Sequence, residues 1–430
     1  MRAVIVAAVI GSLLLSACSP MVGPDEGGAP SENDAGIWYV DERAPPGGDG
    51  TSWATAFVHP QQAVDAAAAD EAVKVAQGVY FPWSENEGNA VIAMKARVEI
   101  YGGYYVESGE MMLRDPLSYP SMLVGSGEMA IGRESKHIVL GASNALLDGF
   151  EVSDGMATLE TSDLSDYADP TEHSDPWGAG MFNESVRNLV VQNCNFRTNV
   201  AEAGGAAICN VDSTVYVRRC QFWLNTSDRL AAGAPDAGPG NYGGAIAVWD
   251  GSLELVNSLF VRNSASIHVS DVEGYGGVLA TRADGDADVV NCTCSGGYAD
   301  YGLMLYDEPD DDGEIVLKNS ILWSGAHDTI RRIDPADFDN VSYSNVELID
   351  GQRSYSDPET LSQNPEFYYT TVQDAPWLWS SFRIPEFGPC CNAVPAGEAP
   401  LLDFTGSIRN GGDGSVQMGA LEEPYIASGE

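Results

Sequence analysis

Phe196-Arg197-Thr198-Asn199 followed by Gly204-Gly205-Ala206, Phe222-Trp223-Leu224-Asn225 followed by Gly243-Gly244-Ala245-Ile246, and Phe260-Val261-Arg262-Asn263 followed by Gly276-Gly277-Val278 decide the architecture of this chain. One ordered pair of motifs, F-x-x-N and then G-G-A/V, returns at intervals of roughly 25–40 residues, and self-similarity at such a period marks a solenoid. A unit this short cannot bury its own apolar face, whereas stacked copies share one core.

Five segments align outward from the motifs. Gly178 to Asn183 leads to Leu189–Cys194, Gly204 to Asn210 to Val215–Cys220, and Gly243 to Trp249 to Leu253–Ser258. Gly276 to Thr281 leads to Ala287–Cys292, and Gly302 to Tyr306 leads to Glu314–Ser320. Each holds short apolar, β-branched runs broken by Gly, Asn, Asp or Ser, a strand–turn–strand cadence without helical period. Such strands are stable when like strands lie above and below at about 4.8 Å. The expected fold class is all-β, a single-stranded right-handed parallel β-helix with Val, Ile, Leu and Phe stacked inside.

Asn193, Asn257, Asn291 and Asn319 recur at one turn, with Arg219 the exception, and Asn199, Asn225 and Asn263 recur at another. Asparagine tolerates left-handed backbone, and its amide can bond to the copies above and below, so both sets are expected to be structural ladders. Cys194, Cys220 and Cys292 share a further position, as small buried side chains in a stack would. Pro60 to Asp70, Ala-rich with Pro at its start, predicts a short helix capping one apolar end. The irregular aromatic stretch from Pro365 to Trp379 is expected to cover the other, since open ends are edge strands.

Acidic residues number 63 against 21 basic ones, a formal net charge of −42 that repels phosphate backbones and excludes nucleic acid as a partner. The chain contains no C-x-x-C, and Cys292-x-Cys294 lacks the second half of a zinc site. At the N-terminus, Arg2 precedes an apolar stretch from Val4 to Leu15 that is too short to span a bilayer as an anchor. Leu15-Ser16-Ala17-Cys18 resembles the lipobox of bacterial lipoproteins, which implies cleavage before Cys18 and diacylation of its sulfur. Two or three acyl chains anchor stably where one does not. Ser19 follows instead of Asp, pointing to the outer membrane or cell surface.

The expected organisation is a lipoprotein signal peptide over 1–17, a flexible tether over 18–36 and a β-helix domain over 37–422. That domain includes an N-cap over 37–82 and a C-terminal cap over about 360–422; 423–430 is a tail. Export permits disulfides, and without Cys18 the eight cysteines leave an odd seven. The adjacent Cys390 and Cys391 either bond to each other or pair elsewhere.

The F-x-x-N and G-G-A/V repeat resembles that of bacterial polymorphic outer-membrane proteins, whose β-helical passengers act in surface adhesion. Trp38-Tyr39-Val40-Asp41, Asp49 through Phe57, Gln61-Gln62-Ala63 and Val73 through Tyr80 are similar to the N-terminal cap of bacterial right-handed β-helix proteins. Asn364 through Phe367, Pro395-Ala396-Gly397 and Asp413 through Glu422 match the C-terminal part of that pectin-lyase-like group. The resemblance covers most of residues 37–422. It implies a surface protein held by lipid, with polysaccharide or a neighbouring cell surface as partner.

Length varies mostly after F-x-x-N and before G-G, over Asn225 to Tyr242 and Ser264 to Tyr275, and loops gathered on one side of a scaffold are where binding usually resides. The residue before the leading Gly is Trp177, Ala203, Tyr242, Tyr275 and Tyr301 in successive coils. Trp177, Tyr242, Tyr275 and Tyr301 are therefore candidates for a strip of ring faces contacting glycan; the alternative is a stack that packs the loops. The turn after the G-G strand is acidic throughout, and Asp284, Asp286, Glu308, Asp310 and Asp312 are the candidate calcium ligands. Glu308-x-Asp310-x-Asp312-Gly313 resembles half an EF-hand loop but has Asn319 where the bidentate acid belongs.

Polysaccharide lyases of this fold resemble a calcium–carboxylate cluster beside an Arg or Lys base, and hydrolases of it use clustered Asp. No matching motif occurs here. Arg282 lies nearest the acids in sequence, and His59, His137, His173, His268 and His327 are scattered. No catalytic residue is assigned. Non-enzymatic adhesion or glycan binding leads, with a polysaccharide lyase or hydrolase and a structural envelope component as alternatives.

Overall fold

The computed structural model describes residues 36–83, 85–86, 90–126, 135–158, 169–172, 174–228, 241–265, 273–299, 305–307, 312–323 and 341–346, with scattered residues between 361 and 420. Residues 1–35, Cys18 among them, lie outside the described residues.

The strands stack in parallel, coil on coil. One sheet runs from Ile37–Val40 through Leu189–Gln192, Ile208–Arg218 and Ile246–Val256 to Val341–Ser342. A second runs from Gly78–Tyr80 through Asn195–Arg197, Gln221–Trp223 and Leu259–Val261 to Asn345–Val346. A third, short sheet joins Met156–Ala157, Val200–Ala201, Thr226–Ser227 and Ser264–Ala265. The fold is a parallel β-helix.

Along the strands after the acidic turns, the register matches the alignment made from the motifs. Leu189, Val215, Leu253, Ala287 and Ile315 are successive partners, all buried, as are Val191, Val217, Leu255, Val289 and Leu317 two residues on. The residues between them face outward, so strand periodicity decides which side meets the core. Phe196, Phe222 and Phe260 align and are fully buried, their rings 5.3 and 4.5 Å apart at 6° and 3°. Burying each such ring stabilises the fold by roughly 1.5–3 kcal/mol.

Asn199, Asn225 and Asn263 form the expected ladder. Asn199 Nδ2 donates to Asn225 Oδ1 and Asn225 Nδ2 to Asn263 Oδ1, both at 2.9 Å, with all three residues fully buried. The residue before each, Thr198, Leu224 or Arg262, takes the left-handed backbone, with φ of 53°, 51° and 53°. The other turn differs. Asn193, Asn257, Asn291 and Asn319 are left-handed at 51–54°, and Arg219 adopts 52° as well, but the amides do not form one continuous chain. Asn193 bonds to Asp148 and Arg219, and Asn257 bonds to the buried Arg409.

The next position is a column of Cys and Ser. Cys194, Cys220, Ser258, Cys292, Ser320 and Ser344 each donate to the carbonyl two residues back. Among the described residues none of the seven cysteines forms a disulfide.

The capping helix spans Pro60–Ala66 and ends earlier than the composition suggested, because Ala67 turns to an extended ψ of 137°. His59 and Gln62 close a capping box at its start, and Pro60, Gln61, Ala63 and Val64 face inward. An antiparallel hairpin, Glu99–Glu107 with Glu110–Arg114, leaves the stack where no repeat signal marks it. At the C-terminus, Cys390, Val394, Val416 and Met418 pack on Ile321, while Gly419 N donates to Asn319 O. Of the stretch from Pro365 to Trp379, all but Pro365 lies outside the described residues.

Candidate functional site

Each G-G turn is built on one glycine held at positive φ. Gly178, Gly205, Gly243 and Gly276 have φ of 63°, 56°, 64° and 64°, and three residues after each lie the paired positions Met181, Ile208, Ile246 and Leu279. A Cβ on Gly243 would sit 1.9 Å from the Ile246 carbonyl oxygen, so only glycine fits.

This register corrects one alignment. The column before the glycine is Trp177, Gly204, Tyr242 and Tyr275, with Gly204 rather than Ala203 in the second coil. The second coil's G-G-A is displaced by one residue from the others. The bare Gly204 has a physical role, since a Cβ there would lie 2.4 Å from Trp177 Cζ3. Across that gap Trp177 stacks on Tyr242 at 6.2 Å and 12°, and Tyr242 stacks on Tyr275 at 4.9 Å and 11°. Tyr301 lies outside the described residues.

The rings therefore form a column, but not the open strip expected of all of them. Trp177 is 0% exposed and Tyr242 6%, while Tyr275 is half-buried. Outward side chains of the neighbouring strands cover the first two. Trp249 meets Trp177 edge-on at 5.7 Å, and the Arg282 guanidinium lies 4.3 Å from the Tyr242 centroid and 4.6 Å from that of Trp249.

The accessible part of the face is consequently Trp249, Tyr275, Tyr306 and Arg282, each half-buried. Trp249 and Arg282 share a register with Val211, and Tyr306 shares one with Ala247 and Ala280. Tyr306 meets the Tyr275 ring at 4.7 Å. Tyr275 Oη donates to Glu273 Oε2 at 2.5 Å, and burial together with that carboxylate pushes its phenol well above the ordinary tyrosine range. Thr281 Oγ1 donates to Asp307 Oδ1. Trp249 and Tyr306 were missed in the sequence, although their signal was present: Ile246 and Val248 point inward, so Ala247 and Trp249 point out.

The acidic turns have a local explanation. Asp212, Asp250 and Asp284 hold φ of 43°, 63° and 63°, a region short polar side chains tolerate. Asp284 Oδ1 accepts the Asp312 N–H at 2.9 Å, and Asp286 Oδ1 accepts the Glu314 N–H at 3.1 Å, so both carboxylates tie one coil to the next. Glu308 and Asp310 lie outside the described residues. Among the described residues no three His, Cys, Asp or Glu side chains group to hold a metal ion. Partial burial, and then Glu254, raises the Asp288 carboxyl, the repulsion expected of stacked acids.

No protein-family model matches this chain, and no curated protein matches it significantly in sequence. Among solved structures it is similar to a pectate lyase, Pel9A, at 13% identity and a TM-score of 0.44, over 90% of this chain and 96% of that one. A rhamnogalacturonan lyase is similar at 10% identity and 0.40, over 82% and 95%. A pectin methylesterase from carrot is similar at 11% and 0.34, over 84% and 97%. At these values the likeness stays with the fold.

Proposed function

We propose that this protein is exported, held to the outer membrane or cell surface by lipid on Cys18, and binds carbohydrate through the Trp249–Tyr275–Tyr306–Arg282 face. The observation that carries the binding site is the half-open cluster in which the Trp249 ring meets the Arg282 guanidinium and the Tyr275 ring meets that of Tyr306, with Glu273 and Asp307 at its edge. Ring faces suit the C–H faces of sugars, and the charged groups suit hydroxyls. The reading is of binding rather than chemistry. Arg282 is held between the Tyr242 and Trp249 rings, and the Tyr275 hydroxyl is held by Glu273.

Binding of the mature chain and of a Trp249→Ala/Tyr275→Ala variant to immobilised neutral and acidic polysaccharides tests the site. Loss of at least about tenfold in affinity, with the circular dichroism spectrum unchanged, is expected. Equal binding by the two proteins overturns it. For the anchor, palmitate labelling that disappears in Cys18→Ser is expected; an unlabelled wild type removes it.

A further inference from the structure

A second cleft lies on a different sheet from the aromatic face. It encloses about 360 Å³, at the lower end of the roughly 300–1,000 Å³ usual for small-molecule sites. Three separate parts of the chain form it: the segment after the hairpin (Asp115, Leu117), the outer side of the second sheet and its turn (Glu151, Arg219, Gln221), and Phe404 of the C-terminal segment.

Its polar groups are underused. Arg219 is the one break in the asparagine pattern of its turn, and it holds φ of 52° where Asn would serve the backbone better. Its Nε donates to Asn193 Oδ1 at 3.0 Å, its only other side-chain hydrogen bond among the described residues is a marginal 3.5 Å to Gln192, and the rest of the guanidinium faces the cleft. The Gln221 amide has no partner among the described residues, and the buried Asn195 Oδ1 likewise accepts nothing. Asp115 spends Oδ1 on the N–H groups of Leu117 and Ser118, and Glu151 spends Oε1 on Arg197, which leaves each a second oxygen.

Charge and apolar surface narrow the ligand. Arg114 is paired with Asp148 and Glu151 with Arg197, so Arg219 and Asp115 offset one another and the lining is close to neutral. Phe150 forms an apolar part of the wall, and Leu117 stands 65% exposed. An uncharged molecule with an apolar face and many hydroxyls, able both to donate and to accept, satisfies that set. We infer that this cleft binds a neutral saccharide unit through Arg219, Gln221, Asn195 and the open oxygens of Asp115 and Glu151, as a site independent of the Trp249 face. Only the class of ligand rests on the proposed carbohydrate binding.

The test titrates neutral mono- and oligosaccharides into the mature chain, into Arg219→Asn/Gln221→Leu, and into Trp249→Ala/Tyr275→Ala. Asn at 219 is what the other coils carry at this turn, so that variant keeps the fold. A binding event weakened at least about tenfold in Arg219→Asn/Gln221→Leu and retained in Trp249→Ala/Tyr275→Ala is expected, since charge-assisted hydrogen bonds are the strong ones. Wild-type titration by Arg219→Asn/Gln221→Leu overturns the cleft site. So does complete loss of binding in Trp249→Ala/Tyr275→Ala, which leaves the aromatic face standing alone. All binding lost only in the Arg219 variant supports the cleft and sinks the aromatic face; a wild type that binds no member of the panel sinks the cleft.

Discussion

Asn225→Leu removes the middle rung of the buried ladder while keeping the branching of the side chain. Four hydrogen bonds disappear. Asn225 Oδ1 accepts from Asn199 N at 3.2 Å and from Asn199 Nδ2 at 2.9 Å, and its Nδ2 donates to Asn263 Oδ1 and Phe196 O at 2.9 Å each. Part of the loss is covered, because Asn199 Nδ2 keeps Val152 O and Asn263 Oδ1 keeps the backbone N–H of residue 225. The Asn199 N–H keeps no acceptor. Four bonds at about 1 kcal/mol net each, with one buried donor left alone, give roughly 3–6 kcal/mol. That is a large share of the 5–15 kcal/mol typical of a folded domain. The control is Asn188→Ala, where among the described residues an exposed amide bonds only to Asn144 at 3.1 Å; with the left-handed φ of 55° that Ala must then hold, about 1–2 kcal/mol is expected. Urea unfolding followed by circular dichroism gives the midpoints, and hydrogen exchange at residues 195–201 gives the local opening. Should Asn225→Leu cost no more than Asn188→Ala, the ladder is not the hydrogen-bond spine of the stack.

Three further outcomes are expected. Burial lowers the His137 imidazole from 6.5 to about 4, so it stays neutral in the fold while the unfolded chain protonates near 6.5. Its contribution is complete above pH 6.5 and is lost as pH falls toward 4, roughly 3 kcal/mol in all. Urea midpoints at pH 7 and pH 4.5 should therefore fall further in wild type than in His137→Gln, and parallel falls would discount that histidine. Burial pushes the Cys292 and Cys390 thiols up to about 12, whereas Cys391 is partly exposed. Maleimide at pH 8 should modify Cys391 in the native protein and the others only in denaturant; native labelling of Cys194, Cys220 or Cys292 would dissolve the Cys/Ser column. Gly204→Ala places a methyl 2.4 Å from both the Trp177 ring and the Tyr242 carbonyl oxygen, which should cost about 1–3 kcal/mol. Unchanged thermal melting would show that the Trp177 ring is not held there.

The repeat was legible because identical environments select identical residues. Phe196, Phe222 and Phe260 occupy one interior slot, and Asn199, Asn225 and Asn263 satisfy one buried turn, so register could be counted from the chain alone. The G-G-A motif misled by one residue in the second coil, because Gly204 and Gly205 are both glycine for different reasons. Gly205 carries the positive φ, and Gly204 makes room for a ring. The accessible face was only half legible. The turn column pointed to Tyr275, but Trp249 and Tyr306 lie on strands, where the outward position reads as an ordinary alternation. The partner of Asn257 was not legible at all: Arg409 is 152 residues away, and no local pattern announces a tail returning along a turn.

The ladder and the aromatic face are mechanically connected. Asn199, Asn225 and Asn263 sit directly before the third sheet, whose strands Thr226–Ser227 and Ser264–Ala265 pair at Thr226 with Ser264 and Ser227 with Ala265. From these strands the two long insertions depart, and they return at Asn241–Tyr242 and Gly274–Tyr275, which pair again. The ladder therefore holds the bases of the loops that carry Tyr242 and Tyr275, and a rigid base keeps ring faces parallel without a ligand to order them. If so, Asn225→Leu weakens saccharide binding even at temperatures where the whole fold persists, because Tyr275 loses its platform while Trp249 and Arg282 stay on their strands. The Asn183–Asn210 pair bonds across the strands themselves at 2.8 Å, on the coils before Trp249, and Asn183→Leu should lower stability with little effect on binding. Equal losses of affinity in the two variants would mean that the face depends on the stack as a whole rather than on the turn that launches its loops.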